Sequence, residues 1–170
     1  MQVTRCHLCA STNLVNVLDL GFHPLADFFM KESQLQEPEK RYPLAVLLCG
    51  NCGHGMNSFV VPAEVRYQEN DYSYDSGNSK ISIQHFTDMA AEVTKRADVK
   101  KDDLVVDIGS NIGTLLKAFK NLGAEVQGVD PAHNIAALAE KNGIPTINDF
   151  FNASSCAKIL KKGKAKVVTI

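Results

Sequence analysis

The sequence predicts an α/β protein: the first half of a doubly wound parallel sheet, preceded by a small lobe built on cysteines. Two observations predict it. Residues 101–170 alternate short apolar runs with segments of helical period, and residues 1–62 hold four of the five cysteines with little helical periodicity. A bridge, residues 63–100, joins them.

The second part reads in the order βαβαβαβ. Leu104-Val105-Val106-Asp107-Ile108 is an apolar run ending at Gly109, as a strand buried on both faces would be. Ile112, Leu115, Leu116, Phe119 and Leu122 then recur at helical spacing, with Asn121 and Gly123 as stop signals. Glu125 to Val129 is a second strand, ending at Asp130-Pro131. Ile135, Leu138 and Ala139 mark a second helix, closed by Asn142-Gly143. Ile144 to Ile147 is a third strand. Cys156, Ile159 and Leu160 mark a third helix, which makes Cys156 a core thiol, and Val167 to Ile170 begins a fourth strand. Such an order folds as a parallel sheet with helices on both faces. The sheet is incomplete at this length, so its uncovered edge is expected to promote self-association.

In the bridge, Asn70-Asp71-Tyr72-Ser73-Tyr74-Asp75-Ser76-Gly77-Asn78-Ser79 is polar and turn-rich. Ser82, Phe86, Met89, Ala90, Val93 and Ala97 then share one face, so a helix over about 80–97 is expected, with Ser79 as its N-cap. His85 lies in that helix and reads as a capping or packing histidine.

Composition excludes several classes. A formal net charge of -1 argues against a general nucleic-acid binder. No apolar run approaches the roughly 20 residues of a membrane span. The N-terminus carries no apolar signal core, so a cytoplasmic protein is expected. In that compartment cysteines stay reduced and read first as metal ligands. Cys6-x-x-Cys9 and Cys49-x-x-Cys52 are two knuckles, each able to turn both thiolates to one ion. Together they predict a closed tetrahedral zinc site, structural because four thiolates leave no open position. His7 and His54 sit in or beside the knuckles and are expected outside the ligand shell.

The turn Asp107-Ile108-Gly109-Ser110-Asn111-Ile112-Gly113 joins the first strand of this part to its helix. Gly109 permits a tight turn and Gly113 a close approach of backbone to ligand. Asp130 ends the next strand, where an acidic side chain can accept ribose hydroxyls. The spacing is G-x-x-x-G rather than G-x-G-x-x-G, which disfavours NAD. An acid opening the turn is a poor phosphate cradle but suits an ammonium group. S-adenosylmethionine (SAM) has an ammonium, a ribose and no phosphate.

These motifs occur in one order with Leu18-Asp19-Leu20-Gly21-Phe22-His23-Pro24-Leu25-Ala26-Asp27, Tyr42-Pro43-Leu44, Tyr72-Ser73-Tyr74-Asp75-Ser76, His85-Phe86, Gly128-Val129-Asp130-Pro131 and Gly143-Ile144-Pro145-Thr146. In this the chain resembles the zinc-containing sugar C-methyltransferases, which use SAM to methylate carbon 3 of nucleotide-linked 4-keto-deoxysugars. The resemblance implies a zinc lobe, a Rossmann-like SAM domain and a further C-terminal domain, of which this chain holds the N-terminal part. It implies that Asp107, Gly109, Ser110, Asn111 and Gly113 form the SAM loop, that Asp130 is the ribose acid, and that Asp149 and Phe150 border the adenine. Tyr72 and Tyr74 match a tyrosine-rich segment that reaches the active site, with the base beyond Ile170. Ile112 departs from the pattern, standing where the family has Asp. A nucleotide-sugar is the implied substrate of the full-length family, and the chain alone is expected to be inactive. Two other readings are a non-catalytic zinc-binding or SAM-binding protein and a methyltransferase of another substrate class.

Overall fold

The computed structural model describes residues 1–26, 28–69 and 71–170, so Asp27 of the resemblance and Asn70 of the turn-rich stretch lie outside the described residues. The chain divides into two compact units, Met1–Asn70 and Asp71–Ile170. The residues expected to form a bridge are therefore shared between the units.

The first unit is a three-stranded antiparallel sheet in the order β1-β2-β3, with β1 at Leu14–His23, β2 at Tyr42–Cys49 and β3 at Gly55–Asn57. A short 3-10 turn (Glu32–Gln34) and a one-turn helix α1 (Ala63–Tyr67) complete it. The cysteine reading gave no hint of this sheet. Its pattern is carried by β2, where Ala45, Leu47 and Cys49 are buried while Leu44 and Leu48 on the other face are exposed. The packed cluster is small: Val3, Cys6, Leu47, Cys49 and Met56, with Leu14 against them. On β1, Val15, Val17, Leu18, Leu20 and Phe22 are all about half exposed or more. A lobe this size with so thin a core needs a cross-link or a metal to hold its fold.

The second unit holds the parallel sheet in the order β6-β5-β4-β7: Thr146–Ile147, Glu125–Val129, Leu104–Ile108 and Val167–Thr169. Residues 104–108 and 125–129 form strands over the spans expected. The third strand is shorter than expected, because Ile144 is spent as a buried plug ahead of it, 1 % exposed. Successive residues of β4 serve opposite faces. Val105 packs with Leu116, Phe119 and Ala90, whereas Leu104 and Val106 pack with Val129 and Ile159. The sheet is thus covered on both sides, the hallmark of the doubly wound class.

Helix α2 (Lys80–Ala97) has the limits the spacing predicts, and Ser79 caps it by accepting the Ser82 amide at 3.4 Å. Phe86, Met89 and Val93 pack on the core, with Ala90 fully buried. His85 is exposed, its ring centroid 5.8 Å from that of Phe86, and it lies mid-helix, where Ser79 and Asp98 take the cap positions. Helices α3 (Thr114–Asn121), α4 (His133–Lys141) and α5 (Ala153–Leu160) follow. The buried face of α5 is Ser155 and Ile159. Cys156 is only half-buried and Leu160 is exposed, which corrects the expected core thiol by about one residue of helical rotation. Among the described residues, no helix is long and apolar enough to cross a membrane.

Candidate metal centre and cofactor turn

The four cysteines of the knuckles meet in the first unit. Cys6 and Cys49 are buried, Cys9 and Cys52 lie at the surface, and all four Sγ atoms fall within 4.8 Å of one another. Cys6 Sγ is 3.6 Å from Cys52 Sγ, and Cys9 Sγ is 3.6 Å from Cys49 Sγ. A tetrahedron with zinc–sulfur bonds of about 2.3 Å has edges of about 3.8 Å, so the donor set fits zinc. The two knuckles share a backbone. In each, the residue after the second cysteine returns its amide to the first cysteine's carbonyl at 2.9 Å, and that residue is left-handed: Ala10 at φ 59° and Gly53 at φ 74°. The Leu8 amide faces Cys6 Sγ at 3.4 Å, relieving thiolate charge.

The thiols cannot all ionise unaided in this space. At Cys49, burial pushes the pKa up, but the amides of Asn51 and Cys52 and the neighbouring thiols outweigh it and bring it down to about 6. At Cys52, the His54 amide acts downward, but the Cys9, Cys49 and Cys6 thiols, with burial, push it up to about 12. A bound dication removes that conflict by holding all four as thiolates. Among the described residues only these four cysteines gather, with His7 and His54 outside the set.

The second candidate site is the turn after β4. Residues 109, 111 and 113 all have positive φ (74°, 51° and 81°), which points several amides to one side. In a dinucleotide site a phosphate takes such amides. Here Asp130, 7 % exposed, takes one with its own carboxylate. Its Oδ2 accepts the Asn111 amide and its Oδ1 the Ala132 amide, both at 2.9 Å. The adjacent Gly109 and Ser110 amides donate to the Val129 carbonyl at 2.8 and 3.2 Å. Asp107, also buried, accepts from Thr169 Oγ1 at 2.6 Å. Burial raises the pKa of Asp107, the Thr169 hydroxyl lowers it in part, and Asp130's charge raises it further. Burial raises that of Asp130 as well, against the two amides. Two buried carboxylates at neighbouring strand ends make a site that rewards a cation.

The turn glycines differ in purpose. At Gly109 a Cβ would meet nothing within 4 Å, so the surface above it is open for a ligand. At Gly113 a Cβ would lie 2.8 Å from Ile144, so that glycine makes room for a core side chain rather than for backbone–ligand approach. Ser110 is turned inward over Gly128. Its Oγ would sit 2.4 Å from a Cβ there and, among the described residues, is a buried hydroxyl without a hydrogen-bond partner. Asp149 lies just past β6, with its Oδ1 accepting from Asn152 at 3.2 Å, and Phe150 beside it is half-buried. Asn148 bonds the Asp130 carbonyl at 2.9 Å and pairs with His133, bringing that corner to the strand ends.

The segment with Tyr72 and Tyr74 lies on the same turn. Asn111 and Asn134 hold its backbone, and Ile112 packs on Gly77, where a Cβ would lie 2.7 Å from Ile112 Cδ1. Sequence reasoning missed Asn134, Asn148 and Thr169. Their only signal is an amide or hydroxyl side chain near a strand end or helix start, and that signal is common.

Residues 6–67 match the family Methyltransf_13, described as "Putative zinc binding domain". That match spans the first lobe and takes in Cys6, Cys9, Cys49 and Cys52. Over 167 residues the chain is 30 % identical to the C-methyltransferase NovU of Streptomyces niveus, covering 98 % of this chain and 39 % of that protein. Both matches support the resemblance to zinc-containing C-methyltransferases. Solved structures overlap in part. The plantazolicin methyltransferase BpumL in complex with SAH aligns at a TM-score of 0.30 and 21 % identity, over 42 % of this chain and 34 % of that one. Phosphoethanolamine N-methyltransferase 2 of Haemonchus contortus, in complex with S-adenosyl-L-methionine, aligns at 0.32 and 19 %, over 68 % and 26 %.

Proposed function

We propose that this chain is the zinc lobe and SAM-binding portion of a cytoplasmic C-methyltransferase acting on a nucleotide-linked 4-keto-deoxysugar. The observation that carries the cofactor is the turn itself. Its anion-accepting amide is occupied by Asp130, a second buried carboxylate stands beside it, and the surface over Gly109 is open. That combination suits a cationic nucleoside and repels a pyrophosphate. The substrate class rests on the C-methyltransferase relative and on the motifs shared in one order.

In this reading Asp130 accepts the ribose hydroxyls with lone pairs its two amides leave over. Asp107 faces the ammonium group, and Asp149 and Phe150 border the adenine. SAM, when bound, supplies an electrophilic methyl. The substrate ketone lets the adjacent carbon lose a proton and carry the negative charge as an enolate. A donor must hold that oxygen, a role for Tyr74 or Tyr72, and a base must reach the carbon-bound proton. Asp107 and Asp130 are already engaged by Thr169 and by backbone amides, which suits them to binding rather than to proton abstraction. Cys6, Cys9, Cys49 and Cys52 would hold a zinc with no open position, so that metal would stabilise the lobe and take no part in the reaction. Among the described residues β7 is an outer strand of its sheet, with Val168 exposed, and self-association of the 170-residue chain through that strand is the proposed consequence.

Incubating the pure 170-residue chain with labelled SAM and a nucleotide-linked 4-keto-deoxysugar tests this. Retention of SAM without turnover is the expected result. Turnover that disappears in Gly109→Arg would place the base within this chain, and failure to retain SAM would remove the cofactor assignment.

A further inference from the structure

Two carboxamides in the second unit are spent in the same way on one six-residue segment. The Tyr72 amide donates to Asn134 Oδ1 at 3.0 Å, and Asn134 Nδ2 donates back to the Tyr72 carbonyl at 2.9 Å. Two residues on, Asn111 Nδ2 donates to the Tyr74 carbonyl at 2.9 Å, and the Ser76 amide donates to Asn111 Oδ1 at 2.9 Å. Each side chain thus copies the donor–acceptor edge of a neighbouring strand. The segment's far end is fixed by Ser76 Oγ against Thr114 Oγ1 at 2.9 Å and by Ile112 over Gly77. Asn111 sits in the cofactor turn, and its own amide is the one Asp130 holds. Asn134 stands in the first turn of α4, four residues beyond Asp130.

We propose that Asn111 and Asn134 are the positioning residues of the site's tyrosines, seating Tyr72–Gly77 as a strap on the cofactor turn. The proposal rests on the reading of that turn as the SAM site. It moves Asn111's carboxamide from cofactor contact to anchoring, and it gives Ile112 a function that an aspartate there would not perform: an apolar seat for Gly77. The segment's backbone is held by these bonds while Tyr74 as a residue remains 56 % exposed. A fixed main chain with a free ring is what a group that meets its substrate late requires. Because Asn111 joins the strap to Asp130 through one residue, a ligand that engages Asp130 is felt at Tyr74.

The test uses the full 170-residue chain and two readouts. Residue-resolved hydrogen exchange without ligand reads the strap directly. Asn134→Ala is expected to speed exchange of the Tyr72 amide at least tenfold and leave β4 and β5 amides unchanged. Asn134→Asp keeps the acceptor and loses the donor, so Tyr72 stays more protected than in Asn134→Ala. The second readout labels the four tyrosines with 3-fluorotyrosine. SAM should shift the fluorine signals of Tyr72 and Tyr74 in wild type. In Asn134→Ala those shifts should collapse while calorimetric SAM affinity stays within about threefold, a split that a merely structural asparagine would not produce. Unchanged Tyr72 exchange, or fluorine shifts that persist in Asn134→Ala, overturns the proposal. Should wild type bind no SAM, the cofactor reading fails by itself, and the exchange measurement still decides the strap.

Discussion

Stripping the metal from the four-cysteine site is expected to unfold the first lobe and spare the second unit. The lobe's buried side chains are few, and two of them are ligands, Cys6 and Cys49. Structural zinc in small fingers contributes about 10–16 kcal/mol of binding energy at neutral pH, comparable with or above the whole stability of a small domain. Cys49→Ser should have the same effect as chelation, because it removes a buried ligand at the end of β2 and leaves three thiolates without a partner for their charge. The second unit has its own cores on both faces of β4 and should keep its helical signal. Metal analysis together with limited proteolysis decides this. One zinc per chain, with cleavage after chelation confined to residues 1–70, is the expected pair of results. Less than about half an equivalent of zinc in wild type, with a lobe that resists protease after chelation, would contradict it.

Replacing Asp107 by Asn is expected to stabilise the second unit and to damage its ligand binding. Burial raises the carboxyl's pKa in the fold, so between the ordinary aspartate range and the raised value the folded state holds more protons than the unfolded one. Stability contributed by that proton is present at low pH and is lost as pH rises through the window. Above the window the charged, buried group remains a standing cost, on the order of 1.4 kcal/mol for each unit by which the pKa is raised. Asn keeps the acceptor for Thr169 Oγ1 and carries no charge. Urea unfolding from pH 4 to pH 8 should therefore show a stability curve that falls with pH in wild type and is flatter and higher in Asp107→Asn. SAM affinity should drop by roughly 10–100-fold, the loss of a hydrogen bond to a charged group at about 1.5–3 kcal/mol. A variant no more stable at pH 8 than wild type would show that Asp107 is not the strained group described.

Most of the second unit was legible because its elements are buried on both faces. Val105 and Leu104 serve opposite sides of the sheet, and Leu116 and Phe119 recur at helical spacing, so hydrophobic pattern and fold coincide. The β1-β2-β3 sheet was not legible. On β1, apolar and polar residues are exposed alike, and the cysteines, not a hydrophobic period, carry the lobe's order. The gathering of the four cysteines was legible from spacing alone, since knuckles need only local backbone. At the turn, residue types were legible but their directions were not. Gly113 faces Ile144, Ser110 faces Gly128, and Asn111 faces the tyrosine segment. Those directions follow from contacts 18 to 37 positions away in the chain, reaching as far as the Tyr74 carbonyl. Spacing carries no information about them.

The central claim is that the turn after β4 recognises a cationic nucleoside rather than a phosphate, with Asp130 as the group that decides it. Titration calorimetry of SAM and of NAD into the zinc-loaded chain tests it most directly, repeated in Asp130→Ala and Asp149→Ala. Saturable SAM binding that Asp130→Ala weakens at least tenfold and more than Asp149→Ala does, with no binding of NAD, is the result predicted. NAD binding as tightly as SAM, or SAM binding that both variants leave equally unchanged, would contradict it.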